Sequence, residues 1–258
     1  MRTVRRAKNI PAADFESDKI DKINFRRSIM GENSKKTKKV SVKSAAYMPE
    51  VSPAVIKRLP RYFRYLREVI RQGKTRVSSA ELSKMMNVTA SQIRQDLNCF
   101  GGFGQQGYGY NVNFLYTKIC EILGVGCGFR ALVIGAGNLG SALVKSSMFD
   151  KRGVDVVAMV DVRENIIGKT IGDVTVYKMD DLEELCEKFE VDIVILTLPK
   201  ENATAAAQKL LNTKVKGIWN FTGKELDLGD SHIVVENEHI GDSLMTLCYE
   251  IARREEDL

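Results

Sequence analysis

Gly135, Gly137 and Gly140 stand in G-x-G-x-x-G spacing directly after the apolar run Ala131 to Ile134, and the segment Asn138 to Phe149 then carries helical periodicity. Each glycine has its own task in such a strand-to-helix turn. The first permits the tight turn, the second lets the backbone approach a pyrophosphate, and the third lets helix and strand pack closely. Asn138 and Leu139 complete the loop, and the unpaired N–H groups of the helix start face an anion there. A second apolar run, Val154 to Val160, ends in Asp161, 21 positions beyond Gly140, where a carboxylate accepts hydrogen bonds from an adenosine ribose. Strand, glycines, helix, strand and acid in this order point to a nicotinamide or flavin dinucleotide. The alternative is an α/β domain that keeps the turn but binds nothing, or only an adenosine moiety such as that of CoA.

A second set of residues suits a different polyanion. Ser78 with Glu81 and Thr89 with Gln92 have the spacing of two capping boxes, so two short helices are expected, ending near Met86 and Phe100. The Asn87-Val88-Thr89 connection makes a helix-turn-helix. Leu82, Met85, Ile93 and Leu97 face inward, which leaves Ser91, Gln92, Arg94, Gln95 and Asn98 on other faces of the second helix. Those side chains bond base edges and phosphates. The glycine-rich stretch 101–112 that follows, with Gln106 within it, suits a β-hairpin wing.

The elements around these two sites follow from periodicity and punctuation. Ser52-Pro53 opens a helix that runs to about Arg71, with Pro60 expected to kink or divide it. Tyr62, Phe63 and Tyr65 read as packing aromatics on it. Beyond the fingerprint come strand Val174 to Tyr177, helix Asp180 to Phe189, strand Asp192 to Leu198, helix Glu201 to Leu211, and strands Val215 to Phe221 and Ile233 to Val235. Such alternation means a parallel sheet with helices on both faces. Thr197 and Pro199 lie at the carboxyl end of a strand, where doubly wound sheets bind ligands, and so join the candidate cofactor residues. A closing amphipathic helix, Asp242 to Arg254, puts Leu244, Leu247, Cys248 and Ile251 on one stripe. That stripe must be buried on its own domain or on a partner subunit. The fold class is therefore α/β: a winged helix-turn-helix domain at 48–112, a short helical linker at 113–128, a Rossmann-type doubly wound sheet at 129–238 and a C-terminal helix at 239–258.

Charge divides the chain in the same way. Residues 1–47 carry 13 Lys+Arg against 5 Asp+Glu, residues 48–110 carry 10 against 4, and residues 111–258 carry 16 against 24. A basic front and an acidic back imply a polyanionic partner for the front. Residues 1–47 read as a disordered basic tail that adds salt-sensitive, sequence-independent DNA affinity. The five cysteines include no C-x-x-C pair, so free thiols in a reducing compartment and no metal site are expected. No apolar stretch is long enough for a membrane span, and a soluble cytoplasmic protein is the expectation. An oxidoreductase with an accessory domain is the opposing reading. Hydride transfer needs a positioned acid or base, and the only two histidines, His232 and His239, read as structural. No enzymatic activity is expected.

At SPAVIKRLPRYFRYLREV, SQIRQDLNCFGGFGQQGYGYNV, VIGAGNLGSAL, ILTLP, VKGIWNF and VEN, in that order, the chain resembles the Rex family of redox-sensing transcriptional repressors from about Ser52 to its C-terminus. The resemblance implies a homodimer that binds double-stranded operator DNA when free of NADH and releases it when NADH rises against NAD+. It also implies that the C-terminal helix is exchanged between subunits near the partner's dinucleotide site. Arg94 falls on the family's recognition-helix arginine, Arg64 on an arginine of the first helix, and Gly135, Gly137, Gly140 and Asp161 on the cofactor loop and ribose acid. Gln95 and Gln106 stand where many members have basic residues, and Asn138 where some have arginine beside the pyrophosphate. His239 and Ile240 stand where many have Asp and an apolar residue at the nicotinamide.

Overall fold

Residues 51–101, 104–105 and 108–256 are described by the computed structural model. The basic segment 1–47 and Gln106 lie outside the described residues. Two compact units part between Leu123 and Gly124.

In the first unit, α1 (Pro53–Arg71) begins with proline in its first turn, where the missing N–H costs nothing. Ser52 holds the N-cap position without a side-chain cap. The helix runs on through Pro60 rather than being divided there. Val55, Leu59, Tyr62, Phe63, Leu66 and Val69 recur at helical spacing and are buried. Helix α2 (Ser79–Met86) is held by a complete capping box, in which Ser78 Oγ accepts from Glu81 N and Glu81 Oε2 accepts from Ser78 N. It ends at Asn87, whose φ of 50° is the left-handed turn that redirects the chain. Helix α3 (Ala90–Asn98) has only half of the expected box: Thr89 Oγ1 accepts from Gln92 N, while the Gln92 side chain turns instead to Asp96. Strands β1 (Arg76–Val77), β2 (Gly104–Gln105) and β3 (Gly109–Asn111) form an antiparallel sheet in the order β1-β3-β2, which is the expected wing. Gly109 is required there, since its φ is 68° and a Cβ would lie 2.7 Å from Val77 O.

Helix α4 (Val112–Ile122), assigned on sequence mostly to a linker, instead completes this core. It buries Val112, Leu115, Ile119 and Cys120, and Tyr116 stacks on Phe63 with ring centroids 5.3 Å apart. Linker and core helix differ only in whether the apolar stripe finds a partner, and here α1 supplies it.

The second unit is built on β4 (Phe129–Ile134), β5 (Val154–Asp161), β6 (Thr170–Ile171), β7 (Val174–Lys178), β8 (Ile193–Leu196), β9 (Gly217–Asn220) and β10 (Val234–Asn237). The sheet order is β10-β9-β8-β4-β5-β7-β6, parallel throughout except for the short edge strand β6. The chain winds outward from β4 on one side and returns to β8 on the other, so the order reverses between these two strands. Leu132 and Ile134 pack with α6 (Leu182–Lys188) and α7 (Lys200–Leu210) on one face, while Ala131 and Val133 pack with Leu143 and Val144 of α5 (Asn138–Lys145) on the other. Helix α5 stops at Lys145, short of the expected Phe149, because Ser146 is extended; Phe149 returns to the core beside the 3-10 turn Asp150–Arg152.

The last element, α8 (Ile240–Glu256), buries none of its described side chains. Every residue of 239–254 is exposed, and Ile240, Leu244, Met245, Leu247, Tyr249 and Ile251 are each more than half exposed.

Candidate functional site

Helix α3 separates its residues cleanly. Ile93, Asp96 and Leu97 are buried, whereas Ser91, Arg94, Gln95 and Asn98 are exposed. The spacing of those four, i, i+3, i+4 and i+7, makes one continuous polar face. Arg94 is steadied by Ser79, with Nη1 3.3 Å from its Oγ. Gln92 is not part of this face: it is partly buried and its Nε2 donates to Asp96 Oδ1 at 2.8 Å. Arg64 is exposed on α1 with its guanidinium over the Tyr65 ring.

Asp96 itself carries a role that pattern reading missed. Its side chain is fully buried and takes a bidentate pair from Arg58, Nε to Oδ2 and Nη2 to Oδ1, both at 2.7 Å. Tyr62 Oη donates to Oδ2 at 3.0 Å. Burial alone would raise the Asp96 pKa, but the donors Arg58, Gln92 and Tyr62 outweigh it and hold the carboxyl below its ordinary value. The network pins α3 to α1 and so fixes the exposed polar face. A carboxylate between Ile93 and Leu97 on the apolar side of a helix was the available signal, and the arginine four positions after Ala54 was its unseen partner.

Arg58→Ala leaves this buried carboxylate without its cation, and is expected to destabilise the first unit by about 3 to 5 kcal/mol. Urea unfolding followed by circular dichroism measures it. Because the folded pKa of Asp96 is depressed, its contribution is complete above the unfolded carboxylate value of about 4 and is lost as pH falls through the folded value. The parent should therefore weaken on acidification below about pH 4, and Arg58→Ala should show less of that loss.

The glycine loop of the second unit sits at the reversal of strand order. Gly135 has φ 101°, and a Cβ there would stand 2.8 Å from Thr197 O. A Cβ on Gly140 would collide with Gly135 O and lie 2.6 Å from Thr197 Oγ1. Gly137 is different, since a Cβ there would meet nothing within 4 Å. The loop is thus packed tightly against the β8 end on one side and open at Gly137, directly before the exposed Asn138 and the first turn of α5. An open backbone at a helix start fits a pyrophosphate. Thr197 Oγ1 lies 2.8 Å from Gly135 O and 3.1 Å from Ile134 O, so its hydroxyl closes the two strand ends together. Leu139 is partly buried, and Pro199 is exposed at the N-cap of α7.

Asp161 ends β5 with little of its side chain exposed. Oδ2 accepts from Ala136 N at 2.8 Å and from Arg163 Nη2 at 2.9 Å; Oδ1 accepts from Arg163 N and Nε, both at 2.9 Å. Burial pushes its pKa up, but the Arg163 side chain and the two backbone N–H groups overcome this and bring it down to about 2. The carboxylate therefore clamps the glycine loop as well as standing at the expected ribose position.

The other chemistry-bearing residues have structural partners. His232 Nε2 is 3.2 Å from Thr213 O, and His239 Nε2 is 3.4 Å from Glu225 Oε1. The described cysteines are free, Cys120 and Cys186 buried, and burial raises both thiols to about 11. Ile240 is 62% exposed.

Comparison with known proteins follows the same division of the chain. Residues 50–98 match the family model described as "Putative DNA-binding protein N-terminus", and residues 129–223 match the CoA binding domain. The redox-sensing transcriptional repressor Rex of Clostridium beijerinckii is 47% identical over 199 residues, covering 77% of this chain and 94% of the relative. A solved structure of RSP in complex with β-NAD+ and operator DNA is similar at 46% identity and TM-score 0.74, covering 80% of this chain and 94% of that one. RSP in complex with β-NADH is similar at 42% identity and TM-score 0.74, covering 80% and 96%.

Proposed function

The chain belongs to the Rex family of redox-sensing transcriptional repressors, and we propose that it works as a cytoplasmic homodimer that holds palindromic double-stranded operator DNA and lets it go when NADH binds the second unit. The observation that carries this reading is the pairing, in one chain, of an exposed polar face on α3 with a glycine loop open at Gly137. Its relatives are repressors and not enzymes.

On the DNA side, Arg94 reads guanine and Ser91, Gln95 and Asn98 contact neighbouring base edges or phosphates; Gln106, outside the described residues, is assigned to DNA contact from its place in the sequence. The Asp96 network gives Gln92 a supporting part, because its amide is already engaged. On the cofactor side, the backbone from Gly135 through Asn138 and Leu139 to Gly140 holds the pyrophosphate, Asp161 the ribose, and Thr197 and Pro199 border the loop. The nicotinamide supplies two states, a cationic oxidised ring and a neutral reduced ring that an apolar surface accepts more readily. Sensing requires unequal affinity of the two protein states for these rings, since a ligand that binds both equally shifts nothing. Ile240 and the apolar stripe of α8, exposed in the single chain, become that surface when α8 crosses to a second copy. Reorienting the subunits then changes the separation of the two α3 helices, which must match about one DNA turn, ~34 to 36 Å. Among the described residues no helix is long and apolar enough to cross a membrane.

A gel-shift titration tests the proposal: NADH should release operator at concentrations where NAD+ does not, and equal effects of the two would sink it. CoA belongs in the same titration, because the CoA binding model covers β4 to β9 of the sheet; release by CoA and not by NADH would favour the module reading.

Asp161→Ala is expected to weaken NADH binding at least about tenfold, a loss of roughly 1.4 kcal/mol or more. It should also lower the melting temperature, since the Ala136 N–H loses its acceptor. Fluorescence titration and thermal melting measure the two effects. Unchanged affinity would remove Asp161 from the site.

A further inference from the structure

The carboxylate at the ribose position is saturated. Asp161 accepts four hydrogen bonds, two from backbone N–H groups of Ala136 and Arg163 and two from the Arg163 guanidinium. A carboxylate offers about four acceptor sites in all, so a ribose diol can enter only by displacing a donor. The backbone donors are fixed by the loop and by β5. The guanidinium is not, because the Arg163 side chain is half exposed. It is therefore the group that gives way, and once displaced it remains a full positive charge beside the ribose. Lys178 pairs in register with Asp161 on the neighbouring strand β7 and is also exposed, so a second cation stands at the same carboxyl edge of the sheet.

A terminal acid by itself implies discrimination against a 2′-phosphate, whose charge would face the carboxylate. The structure changes that balance. With Arg163 in ion-pair contact, the acid is neutralised before any ligand arrives, and a planar fork of N–H donors stands on the carboxylate itself, the group with which arginine also binds phosphate.

We propose that Arg163 makes the adenosine end of this site accept a 2′-phosphate, so that NADPH as well as NADH is a ligand of this chain. The proposal rests on the reading of Gly135 to Asp161 as the dinucleotide site. With NADH, the ribose hydroxyls compete with the guanidinium for Asp161. With NADPH, the phosphate draws the guanidinium away and leaves Asp161 to the 3′-hydroxyl, so the same arginine opposes one ligand and supports the other.

The test is direct titration of the full-length protein and of Arg163→Ala with NADH and with NADPH, read by nicotinamide fluorescence or calorimetry, at two salt concentrations. The parent should bind NADPH within about tenfold of NADH. In Arg163→Ala the ratio of the NADPH to the NADH dissociation constant should rise about tenfold, NADH binding somewhat tighter and NADPH weaker. The NADPH affinity of the parent should also fall more steeply with salt, as a phosphate–guanidinium contact requires. An unchanged ratio in Arg163→Ala overturns the proposal and leaves the NADH site standing. Failure of the parent to bind either dinucleotide while it still binds operator overturns the dinucleotide reading, and this inference with it.

Discussion

Truncation after Glu238 is expected to leave a monomer that no longer releases operator in response to NADH. Helix α8 presents Ile240, Leu244, Met245, Leu247, Tyr249 and Ile251 to solvent, each more than half exposed. A helix of 17 residues with such a face does not hold itself together in water, since most helical stability in proteins comes from packing an amphipathic face. In the proposed homodimer, burial of the stripe Leu244, Leu247, Cys248 and Ile251 on the second copy, at about 25 cal/mol per Å² of apolar surface, contributes several kcal/mol to association. Its removal abolishes that term and also takes away Ile240. The glycine loop and Asp161 belong to elements that end before the cut, so weak NADH binding survives. Allosteric release needs a bistable element that both ligands bias, and the subunit interface is the one proposed. Light scattering gives the mass and operator binding at rising NADH gives the coupling. A truncated protein that stays dimeric and still lets go of DNA with NADH removes α8 from the mechanism.

Arg94→Ala is expected to lose specific operator binding while keeping its NADH affinity. A recognition-helix arginine bonds guanine O6 and N7 through a fork worth about 1 to 3 kcal/mol at each half-site, so losing it at two half-sites reduces affinity by a factor between about 30 and about 25,000. The exposed position of Arg94, between Ser91 and Asn98 on the free face of α3, is what permits that contact. Arg94→Lys retains the charge and loses the fork, and should recover salt-dependent non-specific binding without restoring sequence preference. Footprinting on operator and on scrambled DNA separates the two terms. A variant that reads operator like the parent would show that another side chain does the reading.

Much of this was legible before any coordinates. The glycine spacing, the strand on either side of it and the terminal acid needed no tertiary information, because each depends on backbone sterics within about thirty residues. The capping box Ser78–Glu81 and the left-handed turn at Asn87 are equally local. The exposed face of α3 followed from helical period once Ile93 and Leu97 were set inside, apart from Gln92. What periodicity leaves open is which stripe meets which. Helix α4 read as a connection, and became core only because α1 offers Phe63 to Tyr116. Asp96 sits on the buried side of α3 only because Arg58, 38 positions earlier, meets it there. Two positions of spacing do not show that the Arg163 guanidinium folds back onto Asp161, where it takes half of that acid's hydrogen-bonding capacity. Local sterics and period are properties of neighbouring residues, so the sequence alone determines the turns, the caps and the tight glycine loop. Pairing of charges and of apolar stripes across tens of residues depends on where the chain returns in space, and only the tertiary structure decided those.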